Sequence, residues 1–435
     1  MRNLSIRMPV ICVVVLFFFA WGCENGEPEA EKRLPSEIQS AVDDSVTSIL
    51  FDGKFTSREQ MSSTRDNITA GLMDSVINDP DSLGDKEYLI YAELLGWSGK
   101  DKEAREIFMS YGDREGENAH YALSCLIDME AENGDFRRAE DLVSEYRERF
   151  CRDQKSRPGM YKTLEKLSGI FNDAGYPEDA AGVIIEELNS LECVYPNSSY
   201  YLIQELMPLM LEIDRKTEYL DMALSTRDDL EQSLESHIDT MTYNDTLTID
   251  DDDVRWRYET LIGRYDSVVD QVKLVGERTP AIDPLHVYNA DSTFSLSSLK
   301  GKVVILDFWS ACCVPCRVGY KQMRGLLGEY QDQGLEVVGV TCFLGMFPGV
   351  ETEKTPGGRS KKLDRKREIE LNASYIEEYN ITWPCLMSEM NVFDKEYSLS
   401  LIPTMVLLDR DMRVRYVLTG IESYPQLNRM VQKLL

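Results

Sequence analysis

Histidine is scarce in this chain. Only His120, His237 and His286 occur among 435 residues, and none adjoins the densest run of cysteines. A zinc or copper centre at those sulfurs would have to draw its remaining ligands from elsewhere, so no metal is expected there. Basic charge is short too: 47 Lys+Arg face 76 Asp+Glu, a formal net charge of −29. The shortage is local, because residues 276–435 carry 19 Lys+Arg against 20 Asp+Glu, leaving 28 against 56 in residues 1–275. Such an acidic surface repels nucleic acid and anionic membrane, and nucleic acid is excluded as a partner. Also missing is any apolar run of the roughly 20 residues that a membrane-spanning helix needs.

The longest apolar run, Pro9 to Gly22, follows Arg2 and Arg7 and has the length of a signal-peptide core. AWGC, Ala20 to Cys23, resembles the lipobox of bacterial lipoproteins. The resemblance implies a signal peptide over 1–22, a lipid on Cys23, an anchor in a membrane and a site of work in the cell envelope, on the periplasmic side or at the outer membrane. Ala20 stands where that pattern usually has Leu, and Trp21 is bulky, so a cleaved signal without lipid is the alternative. Residues 23–37 then read as a polar, flexible tether.

With 43% hydrophobic and 28% charged residues the chain has the composition of folded protein, and its length exceeds what one core supports. Two domains are expected. From 38 to 274 the apolar residues recur three and four apart, which predicts helix almost throughout. GKDKEAREIF, GDFRRAEDLV and GYPEDAAGVI share a phrase: Gly99, Gly134 and Gly175 can each end a helix, and Ala104, Ala139 and Ala180 follow five residues later. This suits stacked helical hairpins, with a small residue where two helices cross closely. With Leu164, Leu167, Ser168, Phe171 and Ile184, the third copy resembles a tetratricopeptide repeat. The resemblance implies a surface for a protein partner; a plain helical bundle is the alternative. Cys151 and Cys193 occupy similar places in adjacent copies and could pair, or remain buried thiols like Cys125. Asp250 to Asp253 lack the spacing and Gly of a calcium loop and read as a helix cap. ERTPAIDP, Glu277 to Pro284, reads as a linker.

Residues 275–435 change period. VVILDFW, Val303 to Trp309, reads as a buried strand; FWSACCVPCR, Phe308 to Arg317, places Cys312, Cys313 and Cys316 together; helix is predicted from Val314 to Gln333, then a strand at LEVVGVTCF. NASYIEEYN reads as helix, TMVLLD and RVRYVLT as strands joined by a turn at Asp409 to Met412, and the end as a short helix. Strand, cysteine pair, helix and strand is the setting in which Cys-x-x-Cys acquires a redox meaning.

These segments, with KGKVVILDFW, GLEVVGV, NITWP and IPTMVLLDRD in the expected order, resemble the thioredoxin superfamily and within it the exported TlpA/ResA-like thiol-disulfide oxidoreductases. The resemblance implies an α/β thioredoxin-like domain after the all-α repeat domain. It makes Cys313 and Cys316 the redox-active disulfide, with Cys313 the nucleophile at a helix start and Cys316 the resolving thiol. Asp307, buried under the pair with a raised pKa, is the expected proton acceptor for Cys316, or else a structural acid. Trp309, Ile402 and Pro403 are expected to position substrate, the last through a cis-proline loop. The partners implied are a disulfide-bearing protein and a membrane electron donor or thioredoxin-like protein; no cofactor is expected. Gly319 and Lys321 stand where the family has Glu and Pro, and Leu344 to Arg367 is longer than usual. A peroxidase of the peroxiredoxin type would need Pro-x-x-x-Thr-x-x-Cys, but Leu306 and Ser310 fill those places. The rival from another class is an envelope scaffold lipoprotein that binds through its repeats, its redox domain subsidiary.

Overall fold

The computed structural model describes residues 34–51, 58–73, 82–114, 117–150, 157–190, 196–237, 251–350, 363–420 and 423–435. Cys23, Cys151, Cys193, the leader and Asp250 lie outside them.

The described residues before 275 form eleven helices: α1 (Pro35–Phe51), α2 (Arg58–Leu72), α3 (Asp85–Trp97), α4 (Asp101–Gly112), α5 (Glu117–Glu132), α6 (Phe136–Phe150), α7 (Arg157–Asp173), α8 (Pro177–Ser190), α9 (Pro196–Glu212), α10 (Lys216–His237) and α11 (Asp251–Leu274). The first starts at Pro35, where Pro fits the first turn of a helix, within the last residues of the stretch 23–37. Gly99, Gly134 and Gly175 adopt φ of 82°, 80° and 90° at the turns of three hairpins, α3–α4, α5–α6 and α7–α8. In each, the N–H after the glycine reaches back to a helix carbonyl: Lys100 to Leu95 at 2.9 Å, Asp135 to Glu130 at 2.9 Å, Tyr176 to Phe171 at 2.9 Å. Ala104, Ala139 and Ala180 are fully buried at the crossings, so a larger side chain there would overpack by about 1–3 kcal/mol. A fourth hairpin, α9–α10, makes the same bond from Arg215 N to Met210 O at 2.8 Å, but Asp214 (φ 64°) replaces the glycine and Tyr219 the alanine.

The aspartate run enters helix: α11 begins at Asp251. The expected linker is no free tether. Gly276 N donates to Val414 O (2.7 Å), Val414 N to Glu277 O (2.9 Å) and Thr279 N to Met412 O (2.9 Å), stitching the start of the second domain, residues 275–435, to a later strand.

That domain holds β1 (His286–Tyr288), β2 (Val303–Phe308), α12 (Cys316–Tyr330), β3 (Leu335–Cys342), α13 (Arg365–Glu378), β4 (Cys385–Ser388), β5 (Thr404–Leu408), β6 (Val414–Thr419) and α14 (Tyr424–Leu434). The sheet order is β1-β4-β3-β2-β5-β6, with β2, β3 and β4 parallel and the other pairs antiparallel. All six side chains of β2 are buried, as a central strand covered on both faces requires. The three-residue β1 and four-residue β4 were not foreseen, being too short to show a period.

The two domains pack together. Helices α9 and α11 lie against β6. Arg429 of α14 donates to Glu212 (2.9 Å) and Asn172 (2.6 Å), and Lys433 to the Glu212 carbonyl (3.0 Å).

Candidate active site

Strand β2 ends where the chemistry begins. Trp309 N still bonds to Val340 O (2.9 Å), and the chain then turns through Ser310 to Pro315. Cys313 and Cys316 are joined in a disulfide, their Cα atoms 5.4 Å apart. Helix α12 starts at Cys316 rather than Val314, because its first turn is tight: Cys316 N bonds to Cys313 O (3.2 Å) and Arg317 N to Val314 O (3.2 Å). Cys313 therefore precedes the helix instead of opening it. The consequence for its sulfur is direct, since Cys316 N also donates to Cys313 Sγ at 3.2 Å. A backbone donor aimed at sulfur favours thiolate over thiol once the disulfide is reduced. Cys313 keeps 7% of its surface and Cys316 1%, so the first sulfur is the reachable one. Through Gly319 and Lys321, α12 runs unbroken.

Asp307 is 3% exposed, and its Oδ2 accepts no hydrogen bond. Burial alone pushes its carboxyl up to about 7. By register it faces Met405 on β5 and Gly339 on β3, and Gly339 in turn faces Cys385 on β4, so all four stand on one face of the sheet. Only glycine fits at 339: a Cβ there would lie 2.6 Å from Cys385 Sγ and 2.9 Å from Trp309 Nε1. The Cys385 thiol is pushed up by burial and by the Asp307 charge. Strand β4 was not foreseen, so the sequence did not set Cys385 in this row.

Ile402–Pro403 is a cis peptide. Pro403 precedes β5, whose first residue Thr404 pairs with Phe308, the last of β2. The disulfide turn and the cis loop thus leave the same end of two adjacent strands. Ile402 is half-buried and Leu401 is 40% exposed. Trp309 is fully buried and stacks on Tyr375 (ring centroids 5.3 Å apart, 10° between planes), which places it in the floor of the site and not on its surface.

Cys312 is exposed, its thiol raised by partial burial and by the charge of Glu368. Cys342 and Cys385 are buried free thiols, and Cys125 is a half-buried one. Sequence reasoning missed Glu368 itself. Only 2% exposed, it accepts from Leu344 N (2.8 Å) and Gly345 N (2.7 Å), pinning the start of the long 344–367 segment, while Leu363 N to Gly345 O (2.8 Å) closes its neck. Residues 351–362 of that segment lie outside the described residues.

Residues 275–417 match the AhpC/TSA family. Among curated proteins, the thiol-disulfide oxidoreductase ResA of Bacillus cereus is 25% identical over 139 residues, which cover 32% of this chain and 67% of ResA. Protein DipZ of Mycobacterium tuberculosis is 30% identical over 143 residues, covering 32% of this chain and 18% of DipZ. Thus the chain spans at most about two thirds of these relatives' lengths. The solved thioredoxin domain of a thiol-disulfide oxidoreductase from Bacteroides vulgatus aligns over 37% of this chain and 98% of its own, at 19% identity and a TM-score of 0.27. The second domain of this chain has the thioredoxin-like α/β fold, matches the AhpC/TSA family over residues 275–417, and has thiol-disulfide oxidoreductases among its relatives.

Proposed function

We propose that this protein is a membrane-anchored, extracytoplasmic thiol-disulfide oxidoreductase that reduces protein disulfides with Cys313 as nucleophile and Cys316 as resolving thiol. The observation that carries the reading is the Cys313–Cys316 disulfide with the Cys316 amide aimed at the outer sulfur. A dithiol donor, a membrane electron donor or a thioredoxin-like protein, first reduces the pair. The Cys313 thiolate then attacks one sulfur of a substrate disulfide, making a mixed disulfide and releasing a substrate thiolate. Cys316 loses its proton to the Asp307 carboxylate and attacks Cys313 Sγ, which re-forms the internal disulfide and expels the second substrate thiolate. The substrate gains two electrons, and solvent and Asp307 supply two protons. An acid raised to about 7 is suited to this step, since it can hold and release a proton near neutral pH. Cys23 is the proposed lipid attachment point and the helical domain the proposed protein-docking part.

Trapping tests the reading. Cys316→Ala should retain substrates as dithiothreitol-sensitive adducts on Cys313, and Cys313→Ala should retain none. Titration against glutathione or dithiothreitol buffers should find one two-electron couple, near thioredoxin's value of about −270 mV for a reductant. Absence of both adducts and couple would overturn the proposal, and a couple near −120 mV, about that of a strong oxidant, would reverse the direction of electron flow.

A further inference from the structure

The segment leading into the cis-proline loop is held from outside its own domain. Ser398 sits at φ 51°, a conformation uncommon for serine. Its carbonyl accepts from Gln271 Nε2 at 2.8 Å, and Gln271, on α11 of the helical domain, is 1% exposed. Two residues on, Ser400 Oγ meets the hydroxyl of Tyr200 on α9 at 3.2 Å; Tyr200 is fully buried, set edge-on against Tyr265 and beneath the Arg264 guanidinium. Tyr397 OH donates to Pro280 O (3.0 Å) and meets Thr279 Oγ1 (2.7 Å) in the stretch that joins the domains. Residues 397, 398 and 400 are thereby fixed by partners that all precede β1. Immediately after them come Leu401, exposed, and Ile402–Pro403, at the strand end shared with the disulfide turn. Inside the thioredoxin-like domain the anchors are Tyr397 N to Val392 O (3.1 Å) and Leu399 N to Phe393 O (2.7 Å) ahead of the loop, and Thr404 Oγ1 to Leu401 O (2.8 Å) behind it.

We propose that Gln271 and Tyr200 are positioning residues for substrate. They hold 398–400 from the helical domain, so that the backbone of Ile402–Pro403 offers a preset edge to an extended, disulfide-bearing polypeptide. The inference rests on the thiol-disulfide reading above and deepens it: the helical domain belongs to the substrate-binding apparatus even where it never touches substrate. A loop ordered in advance loses less freedom when a strand docks on it, so the gain falls on binding and not on the sulfur chemistry.

The test uses the full chain, insulin as the disulfide substrate and dithiothreitol as reductant. Gln271→Ala and Tyr200→Phe should each raise KM for insulin about three- to tenfold with kcat changed less than about twofold, the loss expected from one or two hydrogen bonds acting through a loop. Gln271→Met, which keeps the length of the side chain but cannot donate to the Ser398 carbonyl, should match Gln271→Ala. The Tyr200→Phe/Ser400→Ala double variant should be no worse than Tyr200→Phe alone, because both changes remove one bond. Amide hydrogen exchange at 399–404 should quicken in each variant, with the reduction potential and the exchange of β2 and β3 unchanged. Unaltered KM and unaltered exchange at 399–404 overturn the inference. So does a KM rise accompanied by a shifted potential or faster exchange throughout the sheet, which would mark general damage. A wild-type protein with no titratable couple sinks the underlying reading; a working wild type with unchanged variants sinks only this one.

Discussion

Two carboxylates, one in each domain, are buried to nearly the same depth and made into different things. Glu212, at the end of α9, is 6% exposed and meets Arg429 at 2.9 Å and Lys433 at 3.5 Å across the domain boundary. Asp307, in β2, is 3% exposed and faces no cation. The first carries its charge in a fixed ion pair, which joins two bodies. The second is raised to about 7 by burial with nothing to offset it, which stores a proton. The contrast separates a buried acid that holds structure from one available for chemistry: what matters is whether the surroundings answer the charge.

The sharpest way to break this comparison is to neutralise each acid in turn. Asp307→Asn should lower the rate of resolving the mixed disulfide by about 10²–10⁴-fold, the usual contribution of a positioned base, as measured by single-turnover reoxidation of the pair. The wild-type rate should rise with pH through a limb near 7, since the deprotonated acid is the base, and the variant should lack that limb. A limb that survives in Asp307→Asn would assign it to another group. Glu212→Ala should leave Arg429 without its carboxylate, Asn172 remaining, and cost about 2–4 kcal/mol in urea unfolding, with the reduction potential untouched.

Stability against pH gives a third discriminator, of similar or smaller size. Because the folded state holds the Asp307 proton up to about 7 while an unfolded aspartate releases it near 3.8, the native form binds more protons across that window. The oxidised wild type should therefore lose stability as pH rises from about 4 to about 7 and then level off, by at most about 4 kcal/mol from this group. Asp307→Asn should flatten the curve, so its advantage over wild type grows across the same window. Equal slopes for the two would show that the carboxyl is not perturbed in the folded chain. At the small end, Cys312→Ser should change stability by less than about 0.5 kcal/mol, as for an exposed side chain, and remove one accessible thiol per chain in a mass-spectrometric count of the native protein.

Legibility in the sequence followed the same division between local and assembled features. The three hairpin turns could be read because Gly99, Gly134 and Gly175 are needed for a left-handed backbone, and Cys313, Cys316 and Pro403 because the resemblance rests on them. The fourth hairpin was hidden: Asp214 takes the left-handed position without being glycine, and Tyr219 fills the crossing by sending its hydroxyl to Ile203 O at 2.8 Å. Glu368, Gln271, Tyr200 and Arg429 were invisible for another reason. Polar residues in helices look solvated until a distant segment arrives to cover them, and each of these finds its partner at least 20 positions away. The cover over Trp309 was hidden in the same way, since Tyr375, which stacks on it, lies 66 residues on.

The stitching of residues 276–279 onto β6, with α9 and α11 laid against the same strand, bears on how the molecule can be handled. A fragment cut just before β1 would leave Val414 and Met412 with bare acceptors and donors along the outer margin of the sheet, an invitation to pair with a second copy. Anyone wishing to isolate the sulfur chemistry by trimming away the helices would thereby manufacture an adhesive protein.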